Sequence, residues 1–164
     1  KRQIKAYFYL QQRIDVDALA RIEQAQVPLS YFQSIDNAIH AAQIFDKDVI
    51  IAYLGYLTYP DLCAEIADFF MRLSGVQWVL CMGVFRDELI LSVRSRNNKI
   101  GAGKLVKEII GIKGPAGGHG SMAAGNIALD PGDDPELIAE DLKNSFLVSL
   151  KGTHEVDVTW IIGE

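Results

Sequence analysis

Arg94 and Arg96 stand two residues apart in a segment whose polarity alternates: Leu89, Leu91 and Val93 against Ser92, Arg94 and Arg96. As a strand, that segment sends both guanidinium groups out of one face, roughly 6.6 Å apart. A guanidinium is a planar fork that can hold two phosphate oxygens at once. Further on, Lys113-Gly114-Pro115-Ala116-Gly117-Gly118-His119-Gly120-Ser121-Met122-Ala123-Ala124-Gly125 packs five glycines, one proline and one histidine into thirteen positions. Glycine at that density means sharp turns, positive φ or close approach to something else. Main-chain N–H groups of Gly117, Gly118, His119, Gly120 and Ser121, placed at the start of a short helical turn through Ala123 and Ala124, would cradle an anion, with His119 as a donor at the rim. The same glycines would also serve a tight strand–helix–strand connection, and taken alone they favour neither use. The arginines would likewise suit an edge strand kept soluble by charge.

The charge pattern favours the anion. The chain of 164 residues has a formal net charge of −5, which argues against a general nucleic-acid coat. Between positions 94 and 119, however, Arg94, Arg96, Lys99, Lys104, Lys107 and Lys113 face a single acid, Glu108. A local zone of one sign beside a glycine-rich backbone suits an anionic ligand. Other chemistries are poorly served. Gly101-x-Gly103-Lys104 lacks the full nucleoside triphosphate loop pattern. Asp61, Glu65 and Asp68 share a helix face without histidines and read as solvated rather than metal-binding. Cys63 and Cys81 stand alone in apolar segments, as small core hydrophobes.

Elements to position these residues follow from periodicity. Helices are expected over 15–26, capped by Asp15 or Asp17, and from Pro28 to about position 45. Val16, Leu19, Ala20 and Ile22 form a stripe on the first. Residues 49–55 are apolar at nearly every position, as in a strand covered on both faces. A helix over 58–74 would bury Leu62, Ile66, Phe69, Phe70 and Leu73 and end at Gly75. Strands over 76–85 and 88–96 would form a hairpin about Arg86-Asp87. A helix over 101–110, a short strand over 126–129, a helix from Asp134-Pro135 to about 150 and a last, edge-like strand over 156–162 complete the order. The fold class is α/β, a layered mixed sheet with flanking helices and a glycine-rich phosphate-binding loop. Residues 1–46 read as a helical linker to an upstream domain, and 47–164 as the binding domain.

Ser92-Val93-Arg94-Ser95 followed by Gly117-Gly118-His119-Gly120-Ser121-Met122-Ala123-Ala124-Gly125 resembles the C-terminal, DHH-associated substrate-binding domain of DHH-family phosphoesterases. Those proteins pair a Ser-x-Arg-Ser strand with a Gly-Gly-Gly-His-x-x-Ala-Ala-Gly loop. The resemblance is specific at these two motifs and looser over 15–129, and it does not reach beyond position 150. Pro115-Ala116 stand where relatives have more glycines, and Ile112-Lys113-Gly114 lengthens the approach.

The resemblance implies the binding half of an enzyme. Such enzymes hydrolyse phosphodiester or phosphoanhydride bonds with two manganese ions held by aspartates and an Asp-His-His motif in a separate N-terminal domain. This sequence has no Asp-His-His, so no catalytic residue and no metal ligand is expected in it; Mn2+ belongs to the upstream catalytic domain. The expected binding residues are Arg94, Ser95, Arg96, Gly117, Gly118, His119, Gly120 and Ser121. The expected ligand is a short oligonucleotide, nucleotide or other phosphate ester. A non-catalytic nucleic-acid-binding module, like the domain that ends alanyl-tRNA synthetases, is the alternative. A homodimer is left open. No apolar run reaches membrane-spanning length, and the cytoplasm is the expected compartment.

Overall fold

The structure, a computed structural model, describes residues 2–11, 13–24, 26–96, 100–153 and 155–162. The chain divides into two compact units, Lys1–Gln33 and Ser34–Glu164. The first holds α1 (Arg2–Gln11) and α2 (Val16–Glu23). Asp15 caps α2 by accepting from the Ala18 N–H at 2.9 Å. Its apolar residues Val16, Leu19 and Ile22 are exposed.

α3 (Leu29–Ala41) crosses from the first unit into the second. It is shorter than the sequence suggests. The chain becomes β1 (Ala42–Phe45), which pairs antiparallel with β2 (Val49–Tyr56). The intervening turn places Asp46 and Lys47 at φ of 46° and 66°. Without a glycine there, it carries no hairpin signature. The Lys151 ammonium braces it, 2.7 Å from Asp48 Oδ1 and 3.6 Å from Asp46 Oδ2.

β2 leads through α4 (Leu62–Phe70) to a parallel neighbour, β3 (Trp78–Phe85). β4 (Glu88–Ser95) returns antiparallel across the two-residue Arg86-Asp87 turn. Then come α5 (Ala102–Ile110), β5 (Ala116–His119), β6 (Met122–Ala128), α6 (Pro135–Lys151) and β7 (Val158–Trp160). The sheet runs β5-β6-β4-β3-β2-β1-β7, with every pair but β2–β3 antiparallel. β7 is an edge, as its alternation suggests. Asp134 caps α6 by accepting from the Glu136 and Leu137 N–H groups, and Gly152 at φ 78° ends it.

Two cores sandwich the sheet. Val49 and Ile51 of β2, Leu89, Leu91 and Val93 of β4, and Ala123 and Ile127 of β6 pack against α5 and α6. On the other face Ile50, Ala52, Val79 and Cys81 pack under α4 and the end of α3. The continuous apolar run of β2 thus feeds both cores, while the alternation of β4 sends Leu89, Leu91 and Val93 into one of them. Leu62, Ile66 and Phe70 of α4 are buried as expected, but Phe69 and Leu73 are substantially exposed, as is Leu137 of α6. α4 ends at Phe70, one turn before Leu73 and short of Gly75.

The glycine stretch departs most from expectation. No helical turn follows it. Gly117, Gly118 and His119 lie in β5, and Ala123 and Ala124 in β6. The turn is Gly120-Ser121, with Gly120 at φ 56° in the first central position, where a tight hairpin accepts glycine. A second constraint acts from α5, which crosses β5 so closely that a Cβ on Gly103 would stand 2.5 Å from the Gly118 carbonyl oxygen. Hairpin turn and close packing, rather than a helix start, account for glycine at Gly114, Gly118, Gly120 and Gly125.

Gly103→Ala is expected to lower stability by roughly 1–3 kcal/mol, because main chain must shift. Gly117→Ala, whose Cβ would meet nothing within 4 Å, should stay within about 0.5 kcal/mol of the parent. Urea unfolding of the two variants checks the contrast.

Candidate anion-binding site

The strand register decides where the candidate residues lie. Arg94 of β4 is opposite Met122 of β6, and Met122 is opposite His119 of β5. Laterally paired residues point to the same face of a sheet. Arg94 and His119 therefore share a face, about 10 Å apart, two inter-strand spacings. Gly117, paired with Ala124 and through it with Ser92, lies on that face one row along. β5 is the sheet edge, so its ladder bonds use one side only and leave alternate main-chain groups outside the ladder.

Arg94 is not idle. Its Nε and Nη2 donate to Asp68 Oδ1 and Oδ2 at 2.6 and 3.1 Å, a two-pronged fork. Nη1 donates to Ser92 Oγ at 2.8 Å and to the Val93 carbonyl at 3.3 Å. The Arg94 side chain is 13% exposed and that of Asp68 61%, so the anion in the fork faces solvent while the cation is held beneath it. Asp68 is not the merely solvated carboxylate its helix position suggests. Its neighbour Glu65 accepts from the Tyr59 hydroxyl at 2.8 Å.

The other candidates are distributed differently. Arg96 donates from Nη2 to the Met71 carbonyl at the end of α4, where a cation complements the helix dipole. Ser95, adjacent to Arg94 in the strand, is buried and faces the opposite core. Its N–H donates to the Ser121 carbonyl at 2.8 Å, tying β4 to the hairpin turn. Gly120 and Ser121 form that turn, and the Gly120 carbonyl accepts from the Ala102 N–H at the start of α5. The basic zone does not form one surface. Lys104 and Lys107 are exposed on α5, which covers the face opposite Arg94. The sheet separates them. Lys99, Asn97, Asn98 and His154 lie outside the described residues.

α4 covers β3 and β4 on the Arg94 face but stops short of β6 and β5. An open groove of about 470 Å³ results, lined by Glu88 and Ile90 of β4, Ala124 and Asn126 of β6, and Ala116 and Gly117 of β5. Neither Asp68 nor this groove has a signature in the sequence, because each joins residues distant along the chain. Of the tyrosines, Tyr53 lines a different hollow, on the α6 face with Trp160. Burial, and then the carboxylate of Glu136, push its hydroxyl pKa up. Among the described residues no group of three or more His, Cys, Asp or Glu could hold a metal ion. No described helix is long and apolar enough to cross a membrane.

No protein-family model matches the chain. It is 26% identical over 129 residues to an uncharacterised protein of Methanocaldococcus jannaschii, covering 79% of this chain and 26% of that protein. The chain thus spans about a quarter of the length of the curated relative it matches. Among solved structures, an exopolyphosphatase-related protein of Bacteroides fragilis superposes with a TM-score of 0.65 at 14% identity, over 89% of this chain and 43% of that one. The C-Ala domain of Aquifex aeolicus alanyl-tRNA synthetase gives 0.46 at 20% identity, over 61% and 96%. The DHH domain of a member of a family of ribosomal proteins gives 0.49 at 12%, over 76% and 31%. The likeness to the exopolyphosphatase-related protein is one of fold.

Both thiols are buried and free. Burial pushes Cys63 up to about 12 and Cys81 well above its ordinary range, so neither is a ready nucleophile. A thiol reagent at pH 8 should label neither in the folded chain and both in urea. Above the ordinary thiol pKa of about 8.5, the unfolded chain releases protons that the folded chain keeps. Stability should therefore fall as pH rises toward 12, by about 1.4 kcal/mol per pH unit for each thiol. Urea midpoints from pH 8 to 10.5 measure that slope; a flat profile contradicts it.

Proposed function

We propose that this chain is the substrate-binding half of a metal-dependent phosphoesterase that acts on short oligonucleotides or nucleotides. In this reading the water-activating manganese ions belong to a separate, upstream catalytic domain. The chain's own part is to hold the phosphate that orients the ligand. The fold shared with an exopolyphosphatase-related protein supports a phosphoesterase-like role. The observation that carries the reading is the fork at Arg94. A guanidinium held on the same face as His119 already grips a two-oxygen anion, the Asp68 carboxylate.

That grip defines the chemistry of binding. A phosphate offers three oxygens and more charge than a carboxylate, so it can take over both of the Asp68 bonds. His119, exposed at the hairpin end, and the edge of β5 supply further donors to the same anion. Asp68 then acts as a resident counter-ion. It keeps the guanidinium paired when no ligand is bound, and repels the ligand slightly when one arrives. Arg96 takes no part in this reading; its bond to Met71 fixes α4, and so fixes Asp68.

Arg94→Ala should weaken binding of a short 5′-phosphorylated oligonucleotide by about 1.5–3 kcal/mol. Asp68→Asn should tighten it by about tenfold, as one opposing charge is removed. Calorimetric titration at two salt concentrations measures both, with a melting curve to confirm the fold of each variant. An Arg94→Ala affinity equal to the parent's contradicts the site. Salt-sensitive binding by a chain whose longer protein carries no Asp-His-His would instead favour the non-catalytic module.

A further inference from the structure

On the sheet face away from the fork, α6 lies over β2 and β3, and the outer strands β1 and β7 run on beside it. A hollow of about 340 Å³ is left between helix and strands, the size of a small-molecule site. Ile51 and Met82 form its apolar floor. Pairing puts Trp160 of β7 beside Gln43 of β1, and Gln43 beside Ile51 of β2, so the three share this face. Tyr53, two residues on from Ile51, faces the same way. Glu136 and Glu140, one turn apart on α6, make the opposite wall.

Several groups here have no structural task. Trp160 is 46% exposed, on a short edge strand, so its ring adds little to the core. Among the described residues the Tyr53 hydroxyl and the Gln43 amide make no hydrogen bond, and no cation pairs with the Glu136 carboxylate. Glu140 does have a partner. The Lys143 ammonium lies 2.5 Å from it, and the lysine side chain is only 19% exposed. The hollow thus already takes in one aliphatic ammonium, laid along its wall and paired with an acid. The second acid is open.

These features select a charge sign. Glu136 and Glu140 against Lys143 leave the lining with an excess of negative charge, which opposes an anion. The face of an indole or phenol ring attracts a cation. The Tyr53 hydroxyl and the Gln43 carbonyl add neutral acceptors. An alkylated ammonium ion satisfies all of these, with its charge toward Glu136 and the rings and its methyl groups on Ile51 and Met82. We propose that the hollow is a binding site for a small organic ammonium ion, held by the Glu136 carboxylate and the rings of Trp160 and Tyr53. The sheet separates it from Arg94, so it does not depend on the phosphate-binding reading.

Calorimetric titration with choline and with its neutral isostere 3,3-dimethylbutan-1-ol, at one ionic strength, tests the site. Proton NMR follows the indole N–H of Trp160 against that of the buried Trp78. Choline should bind about tenfold tighter than the isostere and shift the Trp160 signal alone. Glu136→Gln and Trp160→Leu should each weaken choline binding by about fivefold or more, with melting temperatures unchanged. Asp141→Asn, which removes an equal charge from α6 outside the hollow, should leave it as it was. Equal affinity for choline and the isostere overturns the proposal. So does choline binding that survives Glu136→Gln or falls equally with Asp141→Asn, and so does the absence of choline binding.

Discussion

The pairing register of β4, β6 and β5 is the constraint on which the site depends. In an antiparallel sheet, opposite residues share a face, and a slip of one residue sends every side chain to the other side. Arg94, Met122 and His119 form one row because Leu89 pairs with Ile127, Val93 with Ala123 and Gly118 with Ala123. The positions between that row and the floor of the groove belong to the opposite core. Burial of Leu89, Leu91, Val93, Ala123 and Ile127 against α5 thus fixes the register, and the register fixes the site. Packing on one face of the sheet positions chemistry on the other.

The two faces are covered unequally, and this asymmetry makes the groove. α5 lies across β5 and β6 on one face, close enough that Gly103 and Gly118 meet backbone to backbone. On the other face α4 reaches only β3 and β4. The outer strands, firmly held from behind, leave their front open. Small residues serve both ends: on the packed face they allow close approach, and on the open face they keep the surface flat. Gly118 and Gly117 are adjacent in sequence and serve these opposite purposes because side-chain positions alternate along a strand.

Much of this is legible in the sequence wherever the signal is local. The alternation over 88–95 gives the facing of Arg94 correctly, and the continuous apolar run over 49–55 gives a strand buried on both sides. The Asp134-Pro135 pair marks the start of α6. The glycine stretch misleads, because glycine density reports backbone freedom without saying whether a turn, a helix start or a close crossing uses it. Here α5, a separate element, supplies the reason. β1 is hidden by helical spacing that continues from α3 and by a turn built from Asp46 and Lys47 in place of glycine. The fork between Arg94 and Asp68, twenty-six positions apart, has no local trace at all. The same holds for Arg96 at the end of α4.

Asp68 also resolves a difficulty that composition raises. A guanidinium only 13% exposed cannot stand without a counter-charge, since leaving a desolvated cation unpaired costs several kcal/mol. A ligand-binding arginine set low against the sheet therefore needs an anion whenever the ligand is away. Asp68 meets that need from the exposed surface of α4, where its own desolvation is small and its departure easy. Had the partner been buried, the pair would have been a fixed structural bond and the arginine lost to ligand. Had there been none, the strand end would have been destabilised. An exposed acid over a largely buried base keeps Arg94 paired and in place, and in the proposed reading it also leaves the guanidinium free to exchange that partner for a phosphate.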